Sequence, residues 1–216
     1  MKKNLTELVF ILDRSGSMSG LEEDTIGGFN SMMQKQKKEP GDALVTTVLF
    51  NGRKVMIHDR VHMQDVPPMT EKEYFVGGST ALLDAVGWTV SHIEEIHHYV
   101  RTEDVPERTL FVIITDGMEN SSRHYSMKQI KTMIEKRQKM DGWEFLFLGA
   151  NIDAEDTAER IGIHKDHAVD YLCDEEGIDC SLGAVDQAIS NYRRDRKLDA
   201  GWKQEVERDY MRRKKR

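Results

Sequence analysis

Five consecutive large apolar residues, Leu110 to Ile114, run straight into Thr115-Asp116-Gly117. A strand with one face in water alternates apolar and polar side chains, so an unbroken run must be covered on both faces. Sheets covered in this way are mostly parallel and wrapped in helices, because the crossover between two parallel strands is usually a helix. Trp143 to Leu148, apolar except for Glu144 and closed by Gly149, reads as a second such strand. Leu5 to Leu12, rich in apolar and β-branched residues and unbroken from Leu8, is a third, and it stops abruptly at Asp13-Arg14-Ser15-Gly16-Ser17.

Helical spacing fills the intervals. After Leu21 come Ile26, Phe29 and Met33, with Pro40-Gly41 as the stop; Leu83, Val86, Val90 and Ile93 mark a second helix, and Met127, Ile130 and Ile134 a third. Asp153 to Ile161 reads as a short helix, Ala168 to Leu172 as a short strand, and Leu182, Val185, Ile189 and Tyr192 as a final amphipathic helix. Ala43 to Phe50 and Lys54 to Val61 are strands joined at Asn51-Gly52, the strongest short hairpin signal, and so run antiparallel. Strand and helix in alternation with one hairpin give an α/β fold: a doubly wound, mostly parallel sheet with one antiparallel edge strand. With 216 residues, 38% of them hydrophobic, the chain is long enough for one such domain. Residues 1–195 are assigned to it, and residues 196–216 to a charged extension with the basic end Arg212 to Arg216.

In an open parallel sheet, ligands bind outside the carboxyl ends of the strands. Three polar loops fall there: Asp13 to Ser17, Gly77 to Thr80, and Asp116 to Ser122. Among their oxygen-bearing side chains are two carboxylates, Asp13 and Asp116, and three hydroxyls, Ser15, Ser17 and Thr80, that together form one candidate set. An all-oxygen set suits a hard divalent cation, magnesium or manganese first and calcium third, rather than zinc. The two carboxylates cancel the cation's charge while the hydroxyls coordinate as neutral groups. A cation so held gains by accepting an anion, and a partner protein's Asp or Glu supplies one. Arg14 and Arg123 are the only basic residues at hand to compete for the carboxylates.

Asp13-Arg14-Ser15-Gly16-Ser17-Met18 resembles the Asp-x-Ser-x-Ser motif of von Willebrand factor type A (vWA) domains. Gly78-Ser79-Thr80 is similar to the loop that supplies their threonine, and Thr115-Asp116-Gly117 to their Thr-Asp-Gly. The resemblance covers roughly Leu5 to Tyr192 and departs at none of the five ligand positions. It implies a metal-ion-dependent adhesion site in a Rossmann-like fold of the intracellular bacterial type, in which Ser15, Ser17 and either Thr80 or Asp116 touch the metal directly, with Asp13 and the remaining group acting through water. It implies binding and not turnover, with a partner's acid in the last coordination position. Intracellular bacterial members are often linked with AAA-type ATPases, which makes such an ATPase one candidate partner.

Other chemistries find less support. His92, His97 and His98 lack the His-Glu-x-x-His spacing, residues five apart do not share a helical face, and surface histidines are the expectation. Cys173 and Cys180 flank an acidic stretch unlike a zinc knuckle, and two cysteines fit a reducing compartment. The chain contains neither a P-loop nor Gly-x-Ser-x-Gly, and Asp13-Arg14-Ser15 lacks the second aspartate of haloacid-dehalogenase-type phosphatases. A metal beside an acid such as Glu119 leaves a metal-dependent phosphoesterase as the alternative reading. A net charge of -7 disfavours nucleic acid, for which only the basic end offers a surface. Without a recognisable signal or membrane segment, the sequence is expected to be cytoplasmic and to make no membrane contact.

Overall fold

The computed structural model describes residues 1–195 and 197–214. Six strands form one sheet: β1 (Lys2–Asp13), β2 (Asp42–Phe50), β3 (Lys54–His62), β4 (Pro106–Thr115), β5 (Glu144–Ala150) and β6 (Ala168–Tyr171). Their order is β3-β2-β1-β4-β5-β6, with β1 parallel to both β2 and β4, and every pairing parallel except the β2–β3 hairpin. The doubly wound sheet with one antiparallel edge strand is therefore present.

The apolar runs divide by their period of two. Leu8, Phe10 and Leu12 of β1 and Leu110 and Val112 of β4 point to one face, covered by α1 (Glu22–Gln36) and α5 (Glu175–Asp195) through Phe29, Met32, Leu182, Val185 and Ile189. Val9, Ile11, Phe111 and Ile113 point to the other. That face is covered by α2 (Leu82–Tyr99), α3 (Met127–Asp141) and α4 (Ala154–Arg160) through Val86, Val90, Ile93, Ile130, Ile134 and Ala158. Burial of both faces is the reason these strands carry no polar alternation. Edge strand β3 keeps one side wet, and its pattern is correspondingly mixed.

The hairpin falls at the expected strand ends, with Phe50 paired to Lys54 and the Asn51 N–H donating to the Arg53 carbonyl across a three-residue loop. Two local features differ from the sequence expectation. Cys173 and Cys180 are not joined by a loop: α5 begins at Glu175, where Gly177 packs its backbone against Leu172. The charged extension carries a further helix, α6 (Gln204–Arg213), anchored by buried Trp202 and Val206. Few apolar residues mark α6, so periodicity alone gave no signal for it. Arg212 and Arg213 of the basic end form ion pairs with Asp209, Glu176 and Asp174, and Lys215 and Arg216 lie outside the described residues. Among the described residues, no helix is long and apolar enough to cross a membrane.

The chain turns to opposite sides after β1 and after β4: α1 leads toward β2, and the loop after β4 leads by way of α3 toward β5. Adjacent parallel strands whose connections diverge leave a crevice at their carboxyl ends. Asp13 closes β1 and Thr115 closes β4 at that point.

Candidate metal centre

Asp13 is buried, with 2% of its surface exposed. One carboxylate oxygen, Oδ1, accepts the Ser15 backbone N–H at 2.7 Å, and Oδ2 accepts the Thr115 hydroxyl at 2.6 Å. Its carbonyl accepts the Tyr74 hydroxyl at 2.6 Å. Burial pushes the carboxyl above its ordinary range; the Thr115 and Ser15 donors oppose this, and the charge of Asp116 adds to the rise. A carboxylate held ionised in such a place is stabilised by a cation.

The remaining oxygens converge beside it. Ser15 Oγ lies 3.1 Å from Ser17 Oγ, and the Ser17 hydroxyl donates to Asp116 Oδ1 at 2.7 Å. A Cβ built on Gly117 would sit 3.5 Å from Ser17 Oγ and 3.6 Å from Thr80 Oγ1, so both hydroxyls face the same side of Gly117. Asp13, Ser15, Ser17, Thr80 and Asp116 are thus brought together from loops up to about a hundred residues apart. Neighbouring oxygens in an octahedron with bonds of about 2.1 Å are ~3.0 Å apart. The Ser15–Ser17 and Ser17–Asp116 separations of 3.1 and 2.7 Å bracket that value, so the donor set fits a small hard cation.

Several residues that hold the site carry no motif. Asn51, expected only as a turn residue, donates its side-chain N–H to the Gly77 carbonyl at 2.6 Å, and its own carbonyl accepts the Ala81 N–H. Gly78 adopts φ 84°, a conformation that favours glycine, and its carbonyl accepts the Gly16 N–H at 3.0 Å. Asn120 clamps Thr80 reciprocally: its Oδ1 accepts the Thr80 N–H at 2.9 Å, and its N–H donates to the Thr80 carbonyl at 3.0 Å. Asn120 could have been suspected from its place four residues after Asp116; nothing local pointed to Asn51.

Glu119 is turned away from the cluster. Its oxygens accept the N–H groups of Leu83, Ser121 and Ser122 and the Ser122 hydroxyl, at 2.7 to 2.9 Å, which caps the N-terminus of α2. Asp84 does the same for the following loop. Burial alone would raise its carboxyl, but the N–H groups of Arg123, His124 and Tyr125 and the His124 ring hold it at about 2. Arg14, 4% exposed, does not neutralise the carboxylates either: its Nη1 donates to the Glu73 carbonyl at 3.0 Å, and its guanidinium lies 4.3 Å from the centre of the Phe75 ring.

The histidines and cysteines are dispersed. His92 pairs with Asp59 at 2.9 Å, as a surface residue can. His97 does not fit the surface expectation: it packs edge-on to Trp143 and meets the fully buried Glu7 at 2.9 Å, with Arg60 on the other Glu7 oxygen at 2.8 Å. Among the described residues no group of three or more His, Cys, Asp or Glu is placed to hold a metal. The Cys173 thiol lies 3.6 Å from Asp116 Oδ2, and burial, followed by the Asp116 charge, pushes it up to about 12.

No family model and no curated protein matches the sequence significantly. Solved structures do match. Proximal thread matrix protein 1 from the mussel byssus, with a zinc-occupied metal-ion-dependent adhesion site motif, aligns at a TM-score of 0.58 and 14% identity over 86% of this chain and 46% of that one. Manganese-loaded TRAP protein from Plasmodium vivax aligns at 0.51 and 17% identity, over 69% of this chain and 59% of that one. The pilus adhesin SpaC from Lactobacillus rhamnosus GG aligns at 0.65 and 11%, over 88% and 30%. The chain spans about 46% of the length of the mussel protein that heads these likenesses. Likenesses at this identity concern the fold, and the fold is the Rossmann-like α/β arrangement of vWA domains.

Proposed function

We propose that the chain is a metal-dependent protein-binding module, in which a divalent cation held by Asp13, Ser15, Ser17, Thr80 and Asp116 receives an Asp or Glu side chain of a partner protein. The observation that carries this reading is that the Ser15, Ser17 and Asp116 oxygens lie at octahedral spacing, beside the buried Asp13 carboxylate and near the Thr80 hydroxyl, with no basic side chain among them. The cation supplies a position for an anion; the chain's own residues supply donors whose two carboxylates balance the cation's charge. Magnesium and manganese suit that set best, and calcium follows. The zinc-occupied mussel protein and the manganese-loaded Plasmodium protein, both similar in structure, support a divalent cation in general.

The phosphoesterase reading loses support because Glu119, the acid it would use, has one oxygen engaged by the Leu83 N–H at the start of α2 and the other by the N–H groups of Ser121 and Ser122. The nucleic-acid reading loses support because Arg212 and Arg213 are matched by Asp209, Glu176 and Asp174. Titration calorimetry with Mn²⁺ and Mg²⁺ tests the site: wild type binds, and the Asp13→Ala/Asp116→Ala double variant does not. Equal heats from both proteins would locate the metal elsewhere. Partner capture should then require the metal, fail in chelator, and fail with Ser15→Ala. An AAA-type ATPase is one candidate to offer in that experiment.

A further inference from the structure

Of the large apolar side chains left exposed, Phe75 and Met118 are those on the loops that form the metal centre, 56% and 73% exposed. Met118 follows Gly117, whose side-chain position the Ser17 and Thr80 hydroxyls face. Phe75 lies against the other side of the motif loop. It follows Tyr74, which bonds the Asp13 carbonyl, and precedes the turn where the Gly77 N–H donates to the Arg14 carbonyl at 3.0 Å. Solvent-exposed apolar side chains are ordinary when scattered, but two that flank one polar site are an arrangement that binding surfaces use.

The Phe75 ring is held from beneath. The Arg14 guanidinium lies 4.3 Å from its centroid, and Arg14 is itself buried and tied to the Glu73 carbonyl. The ring is therefore a fixed platform whose inner face already carries a cation. A cation on one face draws the ring's electrons toward it, so the outer face is a poorer seat for Lys or Arg and a better one for aliphatic groups.

Charge completes the description. Arg14 has no carboxylate partner among the described residues, and its Nε is buried without a hydrogen-bond partner. Asp13, Asp116, Arg14 and a divalent cation sum to one positive charge, and Glu119, with its oxygens held by the N–H groups of Leu83, Ser121 and Ser122, is turned to the start of α2 and its own loop. From these observations we propose that Phe75 and Met118 are specificity residues of the centre, and that they select a partner segment whose acid is flanked by large aliphatic or aromatic side chains. This rests on the metal-site reading above and names the partner class for it.

The test pans a display library of nine-residue peptides with a fixed central Asp, in Mn²⁺, after calorimetry has established metal binding by wild type and by Phe75→Ser/Met118→Ser. Neither side chain is a metal ligand, so metal binding should be unchanged, while loss of the Phe75 ring over Arg14 should lower the melting temperature only modestly and leave the protein folded. The expected outcome is enrichment of Leu, Ile, Met or Phe near the Asp, elution by EDTA, and binding of an enriched synthetic peptide that is about tenfold or more weaker in the double variant. Enriched peptides with basic or no flanking preference, unchanged affinity in the double variant, or no enrichment by metal-loaded protein would each overturn the proposal. Manganese-dependent self-association in sedimentation that disappears in the double variant would assign the patch to a second copy and overturn it as well. Failure of wild type to bind Mn²⁺ strikes the metal site itself and removes this proposal with it.

Discussion

The Thr115 hydroxyl supplies one of the two donors to the buried Asp13 carboxylate, at 2.6 Å, and Thr115 is itself fully buried. Replacing it with valine keeps the shape and removes the donor, and no bulk water is there to take its place. A hydrogen bond to a charged group contributes about 1.5–3 kcal/mol, so Thr115→Val should lose ~2 kcal/mol at neutral pH without metal. The same loss raises the Asp13 pKa further, because the variant lacks a donor that favours the ionised form. The sign follows from linkage. The bond favours the ionised carboxyl, so the gap between wild type and variant is full above both folded pKa values and closes as pH falls through them. Both lie above the ordinary 3.8, because burial has already raised the wild-type group. The gap should therefore close before general acid unfolding begins. Urea unfolding in EDTA, repeated from pH 7.5 downward, reads it directly. A loss under about 0.5 kcal/mol, or one that stays constant with pH, would refute the view that Thr115 acts by holding an ionised Asp13.

Three further outcomes are expected. Asp84→Asn removes a carboxylate held at about 2 by loop N–H groups, so the folded pKa is depressed and its contribution is present above 3.8 and lost as pH falls toward 2; thermal melts should show a deficit of at most ~2 kcal/mol at pH 7 that shrinks below pH ~4. Gly177→Ala puts a Cβ 1.9 Å from the Leu172 carbonyl oxygen, a clash with backbone that cannot rotate aside, so a loss of several kcal/mol (~3) is expected in urea, and a near-wild-type midpoint would show that the start of α5 can shift. Arg60→Met leaves the fully buried Glu7 with His97 alone and should cost ~3–5 kcal/mol, and Glu7→Gln combined with it should recover part of that in a double-mutant cycle.

Unbroken apolar runs at Leu8–Leu12, Leu110–Ile114 and Phe145–Leu148 pointed to a parallel sheet covered on both faces, because such runs are stable when both faces are buried. Strand ends then located the loops, and the residue types there, together with the resemblance to the vWA motifs, named the five oxygen donors. Their convergence within hydrogen-bonding distance was decided by the tertiary structure, since Asp13 and Thr115 meet only through the β1–β4 pairing and Thr80 only through the loop clamped by Asn51 and Asn120. Neither the burial of Arg14 beneath Phe75 nor the turning of Glu119 onto α2 leaves a trace in periodicity. The helix α6 was invisible for a related reason: its hold depends on Trp202 and Val206 fitting a surface made by other parts of the chain. Local pattern records which side of an element is buried, while partners dozens of residues away are set by register and crossover, which are properties of the folded chain.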